Sequence, residues 1–169
     1  MKKVISVFLA FLIMMLPAVA EQATNSEAME EIYDRIEMSK TKAELDDAFE
    51  CAETEDGYFL YENSVLCAFY ESGRLQAKTR VFESICDVAP VADIPLSKLS
   101  SYKQGMTIDE VTEAFGAEGL EIMRINLADE ENAGQRCVLA WQTDAGIAVQ
   151  ALFELDDNEW VLFAIAEVK

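Results

Sequence analysis

The sequence predicts an α+β fold of two tandem repeats, each a pair of helices followed by a three-stranded antiparallel meander. Three observations carry this reading. Residues 33–49 align without a gap with residues 99–115, an offset of 66 that pairs Thr41 with Thr107, Glu44 with Glu110, Leu45 with Val111, Ala48 with Ala114 and Phe49 with Phe115. Both segments carry the same helix-start signature. After each, the hydrophobic period changes from that of a helix to that of strands.

Thr41 and Thr107 each stand three residues before a Glu, the spacing at which a hydroxyl and a carboxylate satisfy orphan N–H groups reciprocally. A helix should therefore begin at each. Leu45, Ala48 and Phe49, like Val111, Ala114 and Phe115, recur at i, i+3 and i+4 and give one apolar stripe per helix. Shorter helices are expected ahead of the caps, over 26–36 and 96–102. The first meander is read as strands near 58–62, 65–70 and 75–82, with Glu71-Ser72-Gly73 as a hairpin turn. The second is read over 137–143, 147–155 and 160–168, with turns at 144–146 and 156–158. On the third strand, Gln76, Lys78 and Arg80 alternate with Ala77, Thr79 and Val81 and are expected to mark the exposed face. The repeats then span 21–86 and 95–169. Residues 87–94, with prolines at 90 and 95 and no periodicity, read as the linker.

The N-terminus has the order of an export signal. Lys2 and Lys3 precede an apolar run over 4–16, and Pro17-Ala18-Val19-Ala20 supplies a small-x-small site, so cleavage is expected after Ala20. Pro17 closes the run short of the roughly 20 residues a membrane span needs, so no stable span is expected after cleavage. Without a Cys at that point, a lipid anchor is not expected. The mature chain would be secreted or held in the cell envelope. Its formal charge moves from −19 to about −21, because the segment contains two lysines and no acid. Such a surface repels nucleic acid, whose binding draws on clustered Lys and Arg.

Residues 99–111 together with Phe115-Gly116, in which an apolar residue precedes Gly105-Met106-Thr107 and a helix ending in Gly116, resemble a motif that opens domains of the BamE-like (SmpA/OmlA) family and of the beta-lactamase inhibitory protein. The similarity covers about 18 residues of the second unit. In the first, Ser39-Lys40-Thr41 stands where Gly-Met-Thr would. The resemblance implies two α/β repeats whose strands line a concave surface for protein partners. Lactamase inhibition does not carry over with it, since no binding residue matches position by position.

Four cysteines in an exported chain allow three disulfide connectivities, with free buried thiols as the alternative. The resemblance implies a short loop closed by Cys51 and Cys67, and with it a second bridge between Cys86 and Cys137. No Cys-x-x-Cys is present to suggest redox chemistry.

The chain contains no His, which excludes Ser-His-Asp and Cys-His catalysis. The paired acids at 30–31, 46–47 and 130–131 point apart on a helix or strand and read as solvated surface. The acidic runs 129–132 and 156–159 lack calcium-loop spacing. An enzyme is not expected, nor a metal or cofactor. The remaining candidates are aromatic: Tyr58, Tyr61 and Tyr70 on expected strands are the binding residues, since Tyr often anchors interfaces. Trp141 shares its face with Cys137 and Leu139 and reads as core. Two functions compete, a sheet-surface module that binds a protein of unknown identity and a structural envelope module without an exchangeable ligand.

Overall fold

The computed structural model describes residues 29–49, 59–61, 64–126 and 134–168. The export signal, Cys51, Tyr58 and the acidic run 129–132 lie outside these residues. Both expected capping boxes form. The Thr41 N–H donates to the Glu44 carboxylate at 2.8 Å and the Glu44 N–H to Thr41 Oγ1, opening a helix that follows the short α1 (Met29–Arg35) as α2 (Lys42–Ala48). These bonds from Thr41 hold the Glu44 carboxyl below its usual range. Thr107 and Glu110 repeat the exchange at 2.9 and 3.1 Å and open α3 (Ile108–Phe115). α3 stops at Gly116, whose φ of 72° suits a residue without Cβ.

Seven strands follow in chain order: β1 (Phe59–Tyr61), β2 (Ser64–Glu71), β3 (Arg74–Phe82), β4 (Leu120–Asn126), β5 (Gln135–Gln142), β6 (Ala148–Asp156) and β7 (Glu159–Val168). Each pairs antiparallel with the next, giving one sheet of order β1 to β7. Ser72 and Gly73 between β2 and β3, and Asp157 and Asn158 between β6 and β7, all have positive φ, the geometry whose twist matches a two-residue hairpin.

This single sheet overturns the expected pair of tandem helix–helix–meander repeats. β3 hydrogen-bonds directly to β4 through Ala77, Lys78 and Thr79, so the sheet runs across the expected boundary. The second half contributes four strands, and Leu96–Ser101, expected as an α-helix, is a 3-10 helix after Pro95. Residues 87–94, expected as a linker, include buried Ala89, Ala92 and Ile94. They join the sheet where Gln142 exchanges backbone bonds with Pro90 and Ala92.

What recurs at the 66-residue offset is a turn that clamps a strand. The Ser39 N–H donates to Leu75 O and the Leu75 N–H to Lys40 O, at 2.9 and 2.7 Å; the Gly105 N–H donates to Leu162 O and the Leu162 N–H to Met106 O, at 2.9 and 2.6 Å. Ser39 and Gly105 both take positive φ, 66° and 90°. Each turn therefore fixes a capped helix against one strand backbone.

All three helices lie on one face of the sheet. Ile32, Tyr33, Ile36 and Leu45 pack on Leu66 and Leu75, while Val111, Phe115 and Leu99 pack on Cys137, Trp141, Val149, Phe153 and Leu162. Trp141 is fully buried, as its sequence position implies, and meets Phe115 edge-on at 5.1 Å between ring centroids. Its indole N–H donates to Ala117 O.

Candidate functional site

Strand alternation assigns the side chains to two faces with different chemistry. On the helix-covered face the two apolar clusters are separated by an ionic seam. Lys78 and Arg80, expected to be exposed, are each only 5 % exposed. Register explains the correction: they stand opposite Ala68 and Leu66, on the face that α1 covers. The Tyr33 ring lies 4.0 Å from the Lys78 ammonium and 4.3 Å from the Arg80 guanidinium. Lys78 donates to Tyr33 O and Arg80 to Glu121 O, so their burial is compensated by carbonyls and a ring face.

Glu121 supplies the negative charge of the seam. Its carboxylate accepts from the Tyr33 hydroxyl at 2.9 Å and from Arg124 Nε at 2.9 Å. Burial pulls the Lys78 ammonium down to about 8, and burial followed by the Glu121 charge pushes the Tyr33 hydroxyl above its usual range. The hydrogen bond to Glu121 raises Arg124, whose guanidinium lies 5.2 Å from the Trp160 ring. Every one of these groups is tied to another, so the seam reads as a structural join between α1 and the sheet.

The opposite face carries no helix among the described residues. One row crosses from Phe69 through Ala77, Ile125 and Arg136 to Glu154, and the next from Cys67 through Thr79, Met123, Val138 and Leu152 to Ala164. Phe69 is 45 % exposed. Arg136 pairs with Glu154 at 3.6 Å and lies over the Phe163 ring at 5.2 Å, so the two charges within these rows neutralise each other. Ala89, Ile85 and Phe82 cover Ile122 and Ala140 toward the other end of the strands. The uncovered part is therefore apolar, neutral and continuous across β2 to β7.

The three tyrosines singled out from sequence do not assemble here. Tyr58 lies outside the described residues. Tyr61 pairs with Ser64 at the β1 edge, and nothing is described of its side chain. Tyr70 is half-buried and packs against the Leu66–Leu75 cluster, on the helix-covered face. A bulge between Phe69 and Tyr70 directs them to opposite faces, leaving Phe69 on the open one. Sequence reasoning passed over Phe69, although its alternation with Cys67 and Val65 was the available signal.

The expected cysteine pairing is corrected in its second half. Cys86 and Cys137 are separate thiols. The Cys86 thiol donates to Gly146 O at 3.2 Å, beside the β5–β6 turn. Cys137 lies five residues down β5 from Gln142, about 16 Å along a strand, well past the roughly 7 Å Cα limit for a disulfide. It is buried between Arg124 and Phe153, and burial pushes its thiol up to about 12. Cys67 lies half-buried on the open face, and Cys51 is outside the described residues.

Among the described residues no three His, Cys, Asp or Glu side chains gather as a metal ion needs, and no helix is long and apolar enough to cross a membrane. Set against known proteins, the chain matches no family model and no curated sequence.

Proposed function

We propose that this chain is an exported, non-catalytic binding protein that holds another protein against the open face of its sheet. The observation that carries the reading is Phe69, 45 % exposed at one end of a neutral apolar row that no described helix covers. A sheet with one armoured and one bare apolar face has a surface of the kind interfaces use. The absence of His from the whole sequence and the export signal of residues 1–20 support a binding role outside the cytosol. So does the resemblance of residues 99–116 to domains that present strands to protein partners.

The test is capture from the compartment into which the expressing cell exports the protein. Wild type should retain a partner, and Phe69→Ala should weaken retention by about 2 kcal/mol or more while thermal unfolding stays unchanged. Equal retention by both proteins would refute the reading.

A further inference from the structure

The electrostatics around the open face state what kind of partner fits it. At one end of the strands stand Glu71 of the β2–β3 turn and Asp156, Asp157 and Glu159 of the β6–β7 turn, all exposed. At the other end stand the exposed Asp87 and Asp144. Between them lie the apolar rows with their single neutralised pair, Arg136 and Glu154. A neutral apolar centre bounded at both ends by carboxylates is complementary to an apolar patch ringed by cations. A second copy of this chain is a poor occupant, because it would bring the same acids against these and carries a formal net charge of −19.

Resting on the proposed binding face, we infer that its partner is a basic protein whose contact surface has an apolar centre and a Lys- or Arg-rich rim. Steering by the acidic ends raises the encounter rate, and burial around Phe69 holds the complex once formed.

Two synthetic helices serve as defined ligands for the protein as its expressing host processes it. One has a Leu stripe flanked by Lys, the other the same stripe flanked by Glu, and binding is followed by fluorescence anisotropy at low and at high salt. The Lys helix should bind at least about tenfold more tightly than the Glu helix, and salt should weaken it. Asp156→Asn with Asp157→Asn and Glu159→Gln should weaken it further, and Phe69→Asn should weaken it without changing net charge. Equal affinity for both helices, or indifference to the triple substitution, overturns the charge inference alone. If Phe69→Asn and Val168→Asn, both folded, leave Lys-helix binding untouched, the binding-face reading falls as well. Association of the protein with itself at micromolar concentration, in preference to the Lys helix, also overturns the inference.

Discussion

Glu121 and Arg124 are three residues apart on one strand yet meet on the same face, with Arg124 Nε donating to Glu121 Oε1 at 2.9 Å. Strict alternation would send residues three apart to opposite faces. The bulge between Glu121 and Met123 turns Ile122 and Met123 together toward the open side and brings both charges under α1. The bulge therefore builds the seam in which Glu121 also receives Tyr33.

Removing that carboxylate leaves Lys78, Arg80 and Arg124 facing one another without it. Glu121→Gln should cost about 2–3 kcal/mol of stability, read as a lower urea midpoint at pH 7. Glu44→Gln, on an exposed cap, should cost well under half as much.

Stability should pass through a maximum in mildly alkaline solution. Lys78 is pulled from 10.5 to about 8 on folding, so between these values the unfolded chain binds more protons and stability rises with pH. Cys137, at about 12 when folded and 9.0 when exposed, keeps a proton that the unfolded chain releases, so the stability it contributes below 9 is lost as pH rises. Tyr33, raised from 10.0, acts the same way above that value. Urea midpoints under reducing conditions should rise from about pH 7.5 to about pH 9 and fall above about pH 10. Lys78→Met should remove the rising limb.

At Gly119 a Cβ would sit 2.5 Å from the Trp141 ring and 2.9 Å from Leu139 Cβ. Trp141 cannot retreat without losing its bond to Ala117 O and its contact with Phe115. Gly119→Ala should destabilise by about 2 kcal/mol and alter tryptophan fluorescence in the folded state. Gly116→Ala strains only a left-handed backbone in open space, so it should cost about 1 kcal/mol with fluorescence unchanged.

The Thr107 cap is separable from the clamp beside it, because the clamp uses the backbone of Gly105 and Met106. Thr107→Ala should cost about 1 kcal/mol, and Thr107→Gly only a few tenths, measured by chemical denaturation.

The parts of this fold legible in the sequence were local. Thr41 with Glu44 and Thr107 with Glu110 announced their helices because capping is settled within four residues. Six strands were legible near their observed positions, because their periodicity and turn residues are local too. β4 was not legible: the bulge makes Ile122 and Met123 share one face and breaks the alternation by which a strand is recognised. Missing it turned one sheet into two expected repeats, since β4 is the strand that joins the halves. The reversal of Lys78 and Arg80 has a related cause. Nothing in 74–82 tells which face a helix will cover, and α1 brings the Tyr33 ring over the charges instead of over Ala77 and Thr79. The open face was legible as a sheet surface, but its anchor was misplaced because the Phe69–Tyr70 bulge is set by pairing with β3.

The central claim is that partners meet the strand face and not the helix face, and photo-crosslinking in the expressing cell tests it most directly. A photoreactive side chain placed at Phe69, on the open face, should give a discrete cross-linked protein that is absent when the same group replaces Asp47 on exposed α2. Adducts from position 47 with none from position 69 would contradict the claim.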